Sequence, residues 1–443
     1  MSETRHLDAI SARYSEAHPL SQAHFGRDRE VMPGGVKGAY YHAPYPLTMA
    51  RGDGCYLWDV DGHRYVDFAN HHTSQVLGHN HEAVTEAIAT QLQRGIALGA
   101  AMGNEVELAE EMCSRVKSLE RVRFCNSGTE ATLHAIRLAR GFTGRPKIAK
   151  FEGGYHGSHD AVEISVAPAL DKAGPSEAPH AVPQVRGMAP HAIDEVLILP
   201  YDDESAVDRL VSTHREELAC IILDPKAGVL PQRAEFMRSV AETARRCNVP
   251  LILDEIVGFR VGTGGIQEHF GITPDLTTFG KIIGGGLPVG AFGGRAELMD
   301  LLDGTRGPTG FFQSGTYSGH PLVMAAGMAT LSQLTPAAFD HMNELTARLC
   351  DGMEGQLERL GVAGKAVHSG SVFSIYFTDG ELTDYRSLAR CDKKRAQPVF
   401  LALLERGYFL SHNLGMNALS LPTQVEHVDG LIEAFGEAVG ATL

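Results

Sequence analysis

Between about residues 80 and 330 the chain alternates helical stretches with short apolar runs, at 122–124, 148–151, 220–223, 251–253 and 277–279. This alternation constrains the fold more than any other feature. Short apolar strands separated by helices predict an α/β architecture, a largely parallel sheet covered by helices on both faces. In such sheets ligands bind beyond the carboxyl ends of the strands. The residues just after each run are therefore the place to look for chemistry.

The flanking regions read differently. Residues 1 to about 30 are expected to form a polar amphipathic helix, ended by the turn at Met32, Pro33, Gly34 and Gly35. Runs at 54–58 and 64–68 flank Asp61-Gly62 and predict a hairpin. Beyond 330 the pattern returns to helix with two short strands, at 374–377 and 419–421, which predicts a second, smaller α+β domain. The stretch 161–192 carries five prolines and reads as an irregular loop near the site entrance.

Charge and cysteine usage narrow the partners. Lys and Arg number 39 against 54 Asp and Glu, a net charge of −15, which repels phosphate backbones and anionic lipid heads, so no nucleic-acid partner is expected. The first residues have mixed charge without an apolar core, and no apolar run approaches roughly 20 residues, so a soluble, cytoplasmic protein without a membrane partner is expected. Seven scattered cysteines without a Cys-x-x-Cys pair predict neither disulfides nor a zinc site.

Four features follow the strands. Asn126, Ser127, Gly128, Thr129 and Glu130 open a helix, and its first-turn N–H groups with two hydroxyls suit a phosphate; an ordinary helix cap fits them as well. Asp254 ends the apolar run 250–253, where a carboxylate needs a cation or proton donor. A protonated ring nitrogen would serve, and so would an Arg or a loop cap. Lys281 stands 27 positions later, between an apolar strand and three glycines, a setting in which an amine loses its proton and becomes a Schiff-base nucleophile. Tyr155 and His156 offer an aromatic face that could stack on a planar ring or pack in a core. Together, a phosphate cradle, an aromatic plate, an acid for a ring nitrogen and a lysine amine are what pyridoxal 5'-phosphate requires of a protein.

With these residues in place, the sequence resembles the class III (subgroup II) pyridoxal-phosphate aminotransferases. It is most similar to the group around glutamate-1-semialdehyde aminomutase and the β-amino-acid and D-phenylglycine aminotransferases. The matching stretches are 31–36, 59–62, 77–81, 126–131, 155–157, 279–294 and 315–321. The resemblance implies the type I fold of pyridoxal-phosphate transferases. An N-terminal segment, 1–75, would contribute to a small domain; 76–330 would form the large cofactor-binding domain, and 331–443 the C-terminal small domain.

It also implies roles. Lys281 would hold the cofactor aldehyde and then shuttle a proton, and Asp254 would hold the pyridinium proton. Ser127, Gly128 and Thr129 would bind the phosphate, joined by Thr316 from the neighbouring subunit, so a homodimer is the expected active unit. Tyr155, with His156 beside it, would stack on the ring, and Ile256 would press its other face. The expected reaction is ping-pong transfer of an amino group between an amine or non-α (β/ω) amino donor and a 2-oxo acid. Intramolecular transfer of the aminomutase type is the alternative. A non-catalytic homologue would be expected to lose Lys281.

Departures bear on the substrate. Tyr41 aligns with the arginine by which the aminomutase grips its substrate carboxylate, Gly415 with its late-loop glutamate, and Leu414 lies near an arginine of the aromatic β-amino-acid enzymes. After Arg406 the chain has no Lys or Arg. Carboxylate recognition is then expected from Lys37, Arg260 or His72, with Tyr41 also facing substrate. The loss of the grips near Tyr40, Tyr41, His71 and His72 suggests a bulky or polyhydroxylated amine. Asp224-Pro225 replaces the usual Glu-Pro, and the loop 254–260 is one residue shorter than in the family. His79 and His81, with His71 and His72, could be counted as metal ligands, but the run 78–81 resembles a structural turn of the family, and no metal site is expected.

Overall fold

The computed structural model describes residues 2–307 and 310–443, with the side chains at 2–6, 39 and 306 outside that description. Its strands, in chain order, are β1 (Met49–Asp53), β2 (Tyr56–Asp59), β3 (Arg64–Asp67), β4 (Arg121–Cys125), β5 (Lys147–Phe151), β6 (Val196–Leu199) and β7 (Leu218–Leu223). They continue with β8 (Leu251–Asp254), β9 (Leu276–Gly280), β10 (Gly290–Gly294), β11 (Lys365–Ser369), β12 (Val372–Tyr376), β13 (Tyr408–Phe409) and β14 (Asn417–Ala418). The chain divides into two compact units. One comprises Met1–Glu82, Asp340–Glu381 and Arg390–Leu443, the other Ala83–Phe339 and Leu382–Ala389.

The second unit is built on a seven-stranded sheet in the order β4-β10-β9-β8-β7-β5-β6. From β9 to β6 every neighbouring pair is parallel, and β10 runs antiparallel to β9 and β4. All five apolar runs expected from the sequence lie in this sheet. β7 is buried along its whole length, as a strand covered on both faces must be.

Two of its strands, β6 and β10, were not anticipated. β10 reads Gly-Ala-Phe-Gly-Gly, a poor strand former by propensity. Close approach accounts for its glycines: a Cβ on Gly290 would collide with the Ser127 carbonyl oxygen, and one on Gly294 with that of Asp275. Against the sheet packs the helix Gly128–Thr143, whose buried face is mostly small, Ala131, Ala135 and Ala139 beside Ile136 and Leu138. It ends at Gly144 in the left-handed conformation, φ 70°.

The first unit holds the sheets β1-β2-β3-β13 and β11-β12-β14 around Tyr14, Tyr65, Phe68, Phe373, Phe400 and Phe435. The β2–β3 hairpin turns through Gly62 at φ 95°, and Asp59 accepts a hydrogen bond from His63 N at 2.8 Å across the turn. β13 joins this element in parallel, which the hairpin pattern did not foresee.

Two further expectations need correction. The N-terminal stretch is two helices, Ser2–Ala17 and Pro19–Val31, because Pro19 has no N–H to continue the first and instead starts the second. The strand expected at 419–421 is β14 at Asn417–Ala418. Beyond it Leu421 N bonds to Val76 O, which carries the chain out of the sheet. The loop from 161 is irregular as expected until the short helix Pro190–Asp194.

Candidate active site

β5, β7, β8 and β9 are consecutive neighbours in the sheet, so their carboxyl ends lie side by side. Each end carries polar groups: Glu152, Tyr155 and His156 after β5, Asp224 after β7, Asp254 closing β8, and Lys281 directly after β9. The helix Gly128–Thr143 starts three residues after β4.

Asp254 is buried at 6% exposure, and its carboxylate is fully engaged. Oδ2 accepts from His156 Nδ1 at 2.8 Å. Oδ1 accepts from Thr278 Oγ1 at 3.1 Å and from Ile256 N at 3.2 Å. A carboxylate only accepts, so the His156 proton sits on Nδ1. The His156 Nε2, also buried, has no hydrogen-bond partner. Thr278 had not been singled out from the sequence; the β8–β9 register sets it directly opposite Asp254, a signal visible only once the strands are paired.

Lys281 adopts φ 51°, in the left-handed region that costs a non-glycine residue roughly 1–2 kcal/mol. It opens the short 3-10 turn Lys281–Gly284, which closes on Gly285, also left-handed. Burial pulls its ammonium below the usual lysine range, Asp254 and Asp224 oppose that pull, and Arg260 adds to it. Arg260 is itself fully buried, and burial pushes it down to about 9.

The helix start is a true cap. Ser127 Oγ accepts from Glu130 N at 3.1 Å, and the Glu130 carboxylate accepts from Asn126 N at 2.9 Å. Thr129 Oγ1 accepts from Ser158 N at 3.2 Å. Gly157, at φ 98°, comes so close that a Cβ there would lie 2.7 Å from Thr129 Cα. Ile256 bridges the two sides: its Cδ1 would be 2.5 Å from a Cβ on Gly128, and its Cγ2 3.6 Å from one on Gly280. Tyr155 leaves 57% of its surface exposed, and Thr316 is exposed as well.

Lys37, Tyr41 and His72 belong to the first unit and are described within it. Lys37 Nζ lies 4.2 Å over the Tyr40 ring, which stacks on His72 at 4.5 Å between centroids, and the Tyr40 hydroxyl is 3.1 Å from His71 Nδ1. Four successive non-glycine residues, Asn70, His71, His72 and Thr73, are left-handed. Tyr41 is exposed and tilts against Phe25. His79 Nε2 bonds Asp67 at 2.9 Å, and its ring fills the space a side chain on Gly52 would need.

The second unit thus brings Ser127–Thr129, Gly157, Ile256, His156, Asp254 and Lys281 into one neighbourhood. A helix N-terminus there can take an anion, a buried carboxylate can meet a protonated ring nitrogen, and an amine biased toward its neutral form stands beside it.

Comparison with known proteins gives one picture. The family model for class-III aminotransferases matches residues 38–438. A glutamate-1-semialdehyde 2,1-aminomutase from Methanocaldococcus jannaschii is 39% identical over 395 residues, 87% of this chain and 89% of that protein. Among solved structures, an omega-transaminase from Sphaerobacter thermophilus superposes with a TM-score of 0.92 at 40% identity, covering 95% of this chain and 97% of its own. A β-phenylalanine aminotransferase from Variovorax paradoxus superposes at 0.89 with 34% identity, covering 99% and 97%.

Proposed function

This chain belongs to the class-III aminotransferase family, and we propose that Lys281 and Asp254 are its catalytic pair. The protein is a pyridoxal-phosphate enzyme that moves an amino group between an amine or a β/ω-amino donor and a 2-oxo acid. The observation that carries the residue assignment is the convergence of the β8 and β9 ends, which sets a buried, hydrogen-bonded carboxylate beside a lysine whose charge is disfavoured.

The residues fit the cofactor. Gly157 leaves no room for a Cβ beside Thr129, as a cradle closed around a phosphate requires. His156 holds the Asp254 carboxylate in place through its Nδ1 at 2.8 Å, which would leave that carboxylate fixed for a ring nitrogen. When bound, pyridoxal phosphate supplies an electrophilic aldehyde and a protonated ring that withdraws electrons from the donor carbon.

In this reading Lys281 Nζ would be the amine that holds the cofactor aldehyde. With a donor in place, the free Nζ would take the proton from the donor carbon and hold it for return within the same site. Ser127, Gly128 and Thr129 bind the phosphate through first-turn N–H groups and hydroxyls. The Tyr155 ring would stack on one face of the pyridine, and Ile256 would press the other.

Thr316 of a second copy would complete the phosphate site, which makes the active unit a homodimer. The exposure of Thr316 supports that part of the reading. Lys37, Tyr41 and His72 belong to it as the groups facing substrate. A cytoplasmic setting is included too, supported by the burial of six of the seven cysteines.

The aminomutase relative at 39% identity favours a second reading, intramolecular transfer. Tyr41 and Gly415, which replace the residues that grip the aminomutase substrate, weigh against it. The test is spectroscopic: amine donors added to the loaded protein should bleach the visible cofactor band, and pyruvate or 2-oxoglutarate should restore it. Turnover of an amino-aldehyde with no bleaching by any donor would favour the mutase.

A further inference from the structure

Lys226 lies outside the site as described so far, yet it is buried, ion-paired and conformationally strained. Its side chain is 9% exposed, and its backbone is left-handed at φ 55°. Nζ pairs with Asp224 Oδ2 at 3.0 Å and also donates to the carbonyl oxygen of Gly153, while Lys226 N donates to Asp224 Oδ1 at 3.0 Å. Its own carbonyl accepts from Val229 N, Leu230 N and Gln232 Nε2, which locks the strained turn in place.

An ion pair with a buried lysine and a partly exposed carboxylate brings little net stability, and a left-handed lysine costs more still, so packing alone does not account for this arrangement. What it holds is informative. Gly153 and Gly154 give the segment after β5 wide conformational freedom, and that segment carries Tyr155 and His156. Gly153 N is tied to Ser165 O at 2.8 Å and Gly154 N to Phe151 O at 3.0 Å. The Lys226 bond to Gly153 O adds an anchor three residues before the imidazole that orients Asp254. The neighbouring strands β5 and β7 bring the two loops together.

We propose that Asp224 and Lys226 form a positioning pair for the amino-transfer reaction, clamping the Gly153 carbonyl so that His156 stays on Asp254 and the Tyr155 ring stays at the cofactor face. The proposal rests on the cofactor reading above. The Asp224 charge also acts on His156 and on Lys281, so its loss has an electrostatic signature as well as a geometric one.

The test compares Lys226→Met, Lys226→Arg and Asp224→Asn. In the cofactor-free protein, amide exchange over 151–158 should speed up by about tenfold in Lys226→Met, because the local opening loses a tether. In the loaded enzyme its kcat should fall by about tenfold with KM for the 2-oxo acid within about twofold, as expected of misplacement rather than lost substrate contact. Lys226→Arg keeps both donors and should stay near wild type. Asp224→Asn should lower both kcat and the pH midpoint of the visible cofactor band, since a negative charge facing Lys281 is removed.

Unchanged exchange and kcat in Lys226→Met, or a loss of thermal stability alone, overturns the proposal. If Lys226→Met does not fold, Asp224→Asn at wild-type kcat and midpoint overturns it by itself. A wild-type protein that forms no visible band with pyridoxal phosphate rejects the cofactor reading instead, so the two failures are distinct.

Discussion

At the scale of single residues, burial decides the chemistry. Lys281 is biased toward its neutral form by desolvation, and the same desolvation is a stability cost that the fold carries for function. Lys281→Ala should therefore lose at least roughly a thousandfold in turnover. In calorimetry its cofactor-free form should melt no lower than wild type; a marked loss would mean that the lysine is structural. Glu255, next to Asp254, shows the same force on an acid. It is fully buried, and burial pushes its carboxyl up to about 7 against 4.5 in an unfolded chain, despite bonds from Ile266 N at 3.0 Å and Gln267 N at 2.9 Å. Between those pH values the folded state binds more protons than the unfolded one, so stability is full below about 4.5 and falls as pH rises through 7. Urea unfolding at pH 5 and pH 8 should show a drop of at least about 1 kcal/mol that is absent from Glu255→Gln. Equal slopes for the two proteins would assign the titration elsewhere.

At the scale of elements, the site depends on a few close approaches between strand ends and the helix Gly128–Thr143. Gly157 is the sharpest of them: Ala there would place a Cβ 2.7 Å from Thr129 Cα, on a backbone at φ 98° that L residues avoid. Gly157→Ala should weaken binding of pyridoxal phosphate by at least about tenfold, which corresponds to ~1.4 kcal/mol. Phosphate-free pyridoxal should lose far less, and fluorescence titration of the cofactor-free protein reads both. Equal losses for the two ligands would mean that the cradle does not hold the phosphate. Much of this was legible in the sequence. The five apolar runs, the cap at Ser127, the acid ending β8 and the lysine after β9 could be read because each is a local pattern. β10 could not, since its glycines answer to Ser127 and Asp275, far away in the chain. Nor could the bonds of Thr278 and His156 to Asp254, or the clamp of Lys226 on Gly153, which exist only once strands pair in a particular order. The break at Pro19 is a local signal as well, since a residue without an N–H ends one helix and starts the next.

At the scale of the whole molecule, the proposed phosphate site draws on two chains. The large apolar side chains of Phe312 and Tyr317 are 83% and 62% accessible. They flank Thr316, the residue assigned to a neighbouring subunit's phosphate site, and a second copy would cover all three at once. This arrangement can be separated from a monomeric site by complementation. Lys281→Ala removes the amine from its own chain, while Thr316→Glu sets a carboxylate against the phosphate of the partner's site. Each homodimer should be inactive. In a mixed dimer with shared sites, one site carries both lesions and the other carries neither. Random assortment makes half of the dimers mixed, each with one intact site of two, so co-expression should restore about a quarter of wild-type activity. If each site is instead built from one chain alone, every site carries one lesion or the other and mixing restores nothing. That result would assign Thr316 to its own chain's site and remove the shared homodimer from the mechanism.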